Sequence, residues 1–300
     1  MKPPEGDARF HQIATGFAFL EAPRWHDDKL YISDFYARRV ITSDADGTIE
    51  TVCEVPQRPS GLGFEPSGAM LVVSMLDHRI LRLTPAGLEE VADVSSYVGG
   101  PVNDMLVDTR GRAYVGNYGS DTDAGEPERA TSLVRVDPDG TCTVVADDLW
   151  FPNGMAITSD GLSLVVAESL ACRISAFDLA DDGSLSNRRI WAEFQPQPSE
   201  FTFADAHGGT AVVPDGVCLD ANDGLWVTNS GGKTVVRVEE GGKVTDVIDC
   251  GEGTPYAAEL TPDGESLYLC MGPSFGSYDP QTDLLGELWK VDLASRVPPR

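Results

Sequence analysis

The sequence predicts an all-β protein, a six-bladed β-propeller of four-stranded antiparallel blades, and three observations carry that expectation. One unit recurs six times in 300 residues, about 50 residues each. Inside every unit, short runs alternating apolar and polar residues flank turns rich in Asp, Asn and Gly, which is hairpin chemistry. No stretch carries the 3.6-residue apolar period of a long amphipathic helix. A unit that cannot bury both faces alone must pack on copies of itself, so repetition decides the architecture.

The opening hairpins read "EAPRWHDDKLYISD" (21–34), "SGLGFEPSGAMLVVS" (60–74), "NDMLVDTRGRAYVGN" (103–117), "NGMAITSDGLSLVVAES" (153–169), "DGVCLDANDGLWVTNS" (215–230) and "YAAELTPDGESLYLCM" (256–271). A third run follows each, such as "RILRLTPAG", "SLVRVDPDG" or "TVVRVEEGG", and a fourth after its own turn, such as "LEEVADV" or "CTVVADD". Four runs joined by turns make a meander, and six meanders set radially protect their strand edges around a central channel. The sixth unit begins at Tyr256 and ends with "GELWKVDLAS" (286–295), one run short. "ARFHQIATGF" (8–17) stands ahead of the first unit and supplies the missing strand. The ring is expected to close there, with residues 1–300 forming one domain.

In such a meander the innermost strand of each unit starts at the channel mouth. Aligning the units puts Glu21, Ser60, Asn103, Asn153, Asp215 and Tyr256 at that start, so six side chains should converge on one axis. Glu21 and Asp215 bring two negative charges, and Asn153 and Asn103 offer amide oxygens. Two carboxylates in a channel repel, and one takes up a proton unless a cation lies between them. An all-oxygen set suits a hard divalent ion, Ca²⁺ first, with Mg²⁺, Mn²⁺ or Zn²⁺ as alternatives. Asp and Asn before Gly also form ordinary turns that bond their own backbone. Glu is poor at that, and three oxygen-bearing groups at one aligned position favour the cation. Ala22, Gly61, Gly154 and Gly216 follow these residues and suit close backbone approach, while Asp104 adds another acid.

Composition narrows the function classes. With 48 acids against 22 bases the net charge is −26, which opposes nucleic acid and anionic membrane as partners. No run approaches the ~18 apolar residues of a membrane span. The start, "MKPPEGDARFHQ", lacks the layout of a secretory signal, and the six cysteines show no C-x-x-C spacing. A cytoplasmic protein with reduced thiols is expected. No G-x-S-x-G occurs, so a serine elbow is not indicated.

Four short motifs, "EAPRW" (21–25), "VND" (102–104), "FPNG" (151–154) and "VPDG" (213–216), run in order over nearly the whole chain. In them the sequence resembles the SMP-30/gluconolactonase group of six-bladed propellers, also called regucalcin-like. The resemblance implies metal-dependent hydrolysis of lactones. It implies one divalent metal held by Glu21, Asn153 and Asp215, and contact of Asn103 with substrate or a metal-bound water. Asp215, having a second carboxylate oxygen, is the expected general base. Sugar-lactone members tend to carry Arg two residues before that Asn, where this chain has Pro101. Proline offers no donor, so a lactone less polar than a sugar lactone is expected.

Long connections at 118–132, 193–212 and 272–286 are expected to wall the pocket, because large loops on one face only usually serve binding. Tyr118, Phe203, Phe275 and Tyr278 would line it, with Tyr118 and His207 touching substrate. His11, His26 and His78 are expected elsewhere. The expected partner is a small-molecule lactone or ester. Two other readings stand beside lactone hydrolysis: a calcium-dependent phosphotriesterase of the diisopropyl-fluorophosphatase type, and a non-catalytic propeller scaffold. The sequence gives no sign of oligomeric state.

Overall fold

The computed structural model describes residues 1–4, 7–44, 47–122, 124–195, 201–209 and 211–293. They form six four-stranded antiparallel sheets and one helix of five residues. The innermost strands are Leu20–His26, Pro59–Phe64, Val102–Val107, Pro152–Ile157, Pro214–Leu219 and Thr254–Leu260. Each packs on the innermost strand of the next blade, the sixth on the first, so the sheets close into a propeller. In the sixth blade the outer strand is Phe10–Phe17, paired antiparallel with Gly286–Asp292, and the ring is latched as the repeat count requires. No helix among the described residues is long and apolar enough to cross a membrane.

The burial pattern follows position in the blade. The second strands Met70–Ser74, Ala113–Asn117, Ser163–Glu168, Leu225–Asn229 and Ser266–Gly272 are buried at every residue. Both of their faces meet neighbouring sheets, so they read as continuous apolar runs such as "MLVV" and "SLYLCM". The outer strands mix exposed and half-buried residues instead, because one face meets water; Cys142–Leu149 shows this.

Register settles the alignment of the units. Leu20 pairs with Asp34, Pro59 with Ser74, Val102 with Asn117, Pro152 with Glu168 and Pro214 with Asn229. The next residue in each blade is therefore equivalent: Glu21, Ser60, Asn103, Asn153 and Asp215, joined by Tyr256 in the sixth. In all six blades the pairing is interrupted right at this point. A bulge there turns the side chain out of the sheet and toward the mouth of the channel.

The residue after the bulge decides how tightly the inner strands approach. A Cβ on Gly154 would stand 2.4 Å from the Asp215 carbonyl oxygen and 2.7 Å from the Val217 nitrogen. On Gly61 it would stand 2.3 Å from the Met105 nitrogen. Backbone cannot yield as a side chain does, so glycine at these positions sets the channel radius.

A buried acid anchors the fourth blade next to this contact. Glu168 is fully buried and accepts from Arg173 Nη2 (2.9 Å), Arg188 Nη2 (2.8 Å), Ser175 Oγ and the Trp150 backbone N–H (3.0 Å). Burial pushes its carboxyl up, but the hydrogen bond and charge of Arg173, with Arg188 and Ser175, outweigh that and hold it below 4.5.

Two outcomes follow from this packing. Gly154→Ala should lose about 1–3 kcal/mol in urea denaturation, the usual cost of forcing atoms into a filled site. Glu168→Gln strips the counter-charge from two arginines and should cost about 3 kcal/mol at pH 7. Because the folded-state pKa is depressed, this contribution is complete above the ordinary value of 4.5 and drains as pH falls through the lowered one. The gap between wild type and Glu168→Gln should therefore shrink when the denaturation is repeated in acid; a constant gap would contradict the ion-pair account.

Candidate active site

Side chains at the channel mouth form a relay around four consecutive blades. Ser60 Oγ donates to Asn103 Oδ1 (3.0 Å), and Asn103 Nδ2 donates to Asn153 Oδ1 (3.0 Å). Asn153 Nδ2 donates in turn to Asp215 Oδ1 (2.6 Å) and to Ser169 Oγ (3.1 Å). Glu21 enters from the first blade, its Oε2 accepting only its neighbour's N–H, that of Ala22 (3.2 Å), among the described contacts. Tyr256 completes the circle differently. Its ring packs on Phe19 with centroids 4.6 Å apart, and its hydroxyl donates away from the axis to the Pro273 carbonyl (2.6 Å).

All six of these residues are buried, so the charges among them are costly. Burial, then the charges of Asp215 and Asp104, pushes the Glu21 carboxyl far above the ordinary carboxylate range. Burial, then Asp104, pushes Asp215 up to about 8, against the hydrogen bonds of Asn153 and Ser230. Asp104 is itself raised by burial. Arg24 opposes the rise at Glu21 and Asp104, but its guanidinium is shared with the carbonyls of Pro23 (2.7 Å) and Met105 (3.2 Å) and with Glu259 (3.5 Å). Three buried carboxyls against one shared guanidinium leave a deficit of positive charge. Protons or a cation must make it up.

The donor set available to a cation is all oxygen. No cluster of three His, Cys, Asp or Glu side chains placed to hold a metal occurs among the described residues. The set is instead two carboxylates, Glu21 and Asp215, with the amide of Asn153 between Asp215 and Asn103. That amide gives Asp215 its nitrogen, the arrangement suited to an acid with no cation beside it. Turning the near-isosteric amide over would aim its oxygen the same way. The residues fit a hard divalent ion on these grounds.

Three further side chains hold this floor in place. In the first, fourth and fifth blades, those that supply Glu21, Asn153 and Asp215, the last residue of the second strand takes a backbone N–H from the approach to the inner strand. Asp34 accepts from Ala18 (3.0 Å) and Phe19 (3.2 Å), Glu168 from Trp150 (3.0 Å) and Asn229 from Val213 (2.9 Å). Sequence reasoning passed over all three. The available signal was an acid or amide ending an apolar run in "YISD", "VVAE" and "WVTN".

Above the floor lies a cavity of about 730 Å³. Glu21, Asn103, Asn153, Asp215, Tyr118 and His207 all line it, so every expected site residue comes to one place. Aromatic rings form a large part of its walls: Phe19, Phe35, Tyr36, Phe151, Phe203 and Phe275 line it. All three long connections contribute, through Tyr118 and Thr122, through Phe203, Ala204 and His207, and through Ser274 and Phe275. Residues 123, 196–200 and 210 of those connections lie outside the described residues. The segment Phe203–His207 is a single helical turn capped by Thr202, whose hydroxyl accepts from the Asp205 N–H (3.1 Å). Its His207 stacks on Phe203 and has Nδ1 3.1 Å from the Phe203 carbonyl; burial lowers its pKa and favours the neutral ring.

Tyr278 departs from expectation. It packs against the apolar cluster that contains Tyr256 and is not among the described lining residues. The remaining histidines stand away from the cavity, His26 stacked on Phe64 (3.9 Å) and His11 bonded to Asp292 (2.9 Å), with His78 also outside the lining.

Comparison with known proteins bears on the family and the fold. The family model of the SMP-30/gluconolactonase/LRE-like region covers residues 19–272. The pentonolactonase XacC of Haloferax volcanii is 27% identical over 94% of each chain. The L-arabinolactonase of Azospirillum brasilense is 26% identical over 83% of this chain and 79% of its own. Among solved structures, a gluconolactonase of Xanthomonas campestris superposes with a TM-score of 0.73 at 22% identity, covering 96% of this chain and 90% of that one. With the family model spanning all six inner strands, the chain belongs to the SMP-30/gluconolactonase/LRE-like family.

Proposed function

We propose that the protein is a metal-dependent lactonase that opens a cyclic ester less polar than a sugar lactone. One observation carries the reading: Glu21, Asn153 and Asp215 gather, buried and short of positive charge, on the floor of a cavity large enough for a small molecule. Relatives named for lactones, matched over most of the chain, support the ester chemistry. Glu21, Asn153 and Asp215 would hold one divalent ion, Ca²⁺ by preference, with Mg²⁺, Mn²⁺ or Zn²⁺ as alternatives. When bound, such an ion supplies Lewis-acid polarisation of the ester carbonyl and a more acidic water.

The chain's own groups do the rest. Asp215 has two carboxylate oxygens, one that would meet the cation and a second to accept the proton of the attacking water. Water oxygen bonds to the ester carbon, the ring C–O bond breaks, and Asp215 returns the proton to the departing alkoxide, giving a hydroxy acid. Asn103, tied between Ser60 and Asn153, presents a fixed amide to the substrate. Ser169 donates to the Pro214 carbonyl (2.7 Å) while it accepts from Asn153, so the two ligand-bearing strands keep their spacing. Tyr118 and His207 meet the substrate at the wall. Pro101 lines the cavity without a donor and, with the aromatic rings, favours an apolar substituent.

Two coarser readings go with this one. Residues 1–300 act as a single folding unit, because the first strand completes the last sheet. The cysteines at 53, 142, 172, 218, 250 and 270 are unpaired, which suits a reducing cytoplasm.

Chelation followed by a panel of lactones, aryl esters and organophosphates tests the reaction. Lactone opening should vanish with chelator and return with Ca²⁺, at about one ion per chain by elemental analysis; undiminished activity in chelator refutes metal dependence. Faster turnover of organophosphates than of any lactone would favour the phosphotriesterase reading instead. Asp215→Asn keeps an oxygen ligand but removes the base, so kcat should fall about 100-fold or more while calorimetry still detects the cation. Near-normal hydrolysis by that variant would remove Asp215 from the base role.

A further inference from the structure

His207 joins the cavity wall from a turn that other parts of the chain hold fast. Thr202 caps the turn, and Glu128, from the connection at 118–132, accepts the Phe203 N–H (3.0 Å). Ala206 is buried in the cluster of Phe151, Leu170, Cys172 and Val213, and Phe201 stacks on Trp150 with centroids 4.3 Å apart. Phe203 meets Phe151 edge-on at 5.8 Å, and the His207 ring stacks on Phe203 at 5.9 Å. A side chain on so pinned a turn is placed before any ligand arrives, which is the condition for a group that discriminates.

Hydrogen bonding then decides which ring nitrogen carries the proton. Nδ1 lies 3.1 Å from the Phe203 carbonyl oxygen. A carbonyl only accepts, so Nδ1 must be the donor and hold the hydrogen. The ring is half-buried, and burial lowers its pKa, so the second nitrogen stays unprotonated. Nε2 has no hydrogen-bond partner among the described residues. The wall therefore offers a lone pair of fixed sign.

Other polar groups of the wall lack that property. Thr122, Ser230 and Ser274 line the cavity too, but a hydroxyl rotates to donate or to accept. Phe19, Phe35, Phe151, Phe203 and Phe275 contribute hydrocarbon. At about 730 Å³ the space exceeds what a lactone ring fills, so a substituent must lie along this wall. A donor on that substituent satisfies Nε2. A carbonyl there opposes one lone pair to another, and a methylene leaves Nε2 desolvated and unpaired.

We propose that His207 is the specificity residue of this cavity, its Nε2 lone pair selecting lactones whose apolar substituent carries a hydrogen-bond donor. The assignment rests on the lactonase reading for the ring that opens and on the fixed tautomer for the donor.

The test uses sets of three γ-lactones alike except at one carbon of an alkyl substituent, which is a secondary alcohol, a ketone or a methylene, with that carbon moved stepwise along the chain. At the best position wild type should favour the alcohol in kcat/KM. His207→Phe, which keeps a stacked ring, should lower that preference tenfold or more, mainly through KM. His207→Gln, whose amide oxygen accepts, should restore part of it, and a near-UV circular dichroism spectrum matching wild type confirms that each variant folds. A preference for the ketone, no preference at any position, or one that His207→Phe leaves unchanged overturns the proposal. The chain has four histidines, so a long-range ¹H–¹⁵N spectrum identifies the His207 ring by its loss in either variant. A hydrogen found on Nε2 overturns the proposal whatever the kinetics. The corresponding lactams, which resist opening, separate the two readings by calorimetry. If wild type opens none of the lactones yet binds the alcohol lactam with a preference that His207→Phe abolishes, His207 keeps its role and the lactonase reading fails. Equal binding of all three lactams beside efficient, unselective lactone opening has the opposite meaning.

Discussion

Glu21 and Asp215 come from the first and fifth blades, yet closing the ring buries both carboxyls on the floor of one cavity. Asp104 raises the proton affinity of both, and Arg24 is too widely shared to offset three acids. Latching the first strand onto the sixth blade enforces this crowding, and glycine behind the bulges keeps the inner strands at the radius where it occurs. The energy of the fold is thus spent partly on holding like charges together. A protein whose packing and hydrogen bonds were not already satisfied elsewhere could not sustain the cost.

The means of sustaining it are visible in the second strands. Asp34, Glu168 and Asn229 each fasten the approach to an inner strand that carries one of the three oxygen-bearing groups. In the third blade the equivalent Asn117 serves its own loop instead, accepting from the Gly119 N–H (3.0 Å) and the Thr131 hydroxyl (2.7 Å). The fastening therefore follows the chemistry of the floor, blade by blade. Two layers of polar side chains result, one that faces the cavity and one that fixes the backbone presenting it.

Much of this was legible in the sequence because a pleated strand has a fixed side-chain period. Once the hairpin turns are aligned, the six channel-mouth positions follow, and Glu21, Asn103, Asn153 and Asp215 fall out together. The closing strand was legible for a similar reason: a six-unit count with one run missing leaves a single place for Phe10–Phe17. Loops have no such period. Tyr278 sits in a Gly- and Pro-rich connection where nothing in the pattern fixes its direction, and it turned to the core. The turn of helix at Phe203–His207 is too short to show a period, although its cap Thr202 is a recognisable signal. The wiring of the amides and the part of Asp34, Glu168 and Asn229 depend on distances between blades, which pattern alone does not contain.

Floor and wall answer to different physical demands, and that separates reaction from selectivity in this architecture. Oxygen groups that share a cation must keep fixed distances, and a change at Asn153 or Asp215 also disturbs the relay that runs from Ser60 to Ser169. The tier above has no such mutual dependence. Phe19, Arg58, Pro101, Phe151 and Val213 hold the same backbone hydrogen bond whatever side chain they carry. The side chains of that tier can therefore differ from blade to blade, Arg58 beside Pro101 and Phe151, with the floor beneath unaltered. Radial symmetry makes this possible, because Phe19, Arg58, Pro101 and Phe151 line the same cavity from four different blades.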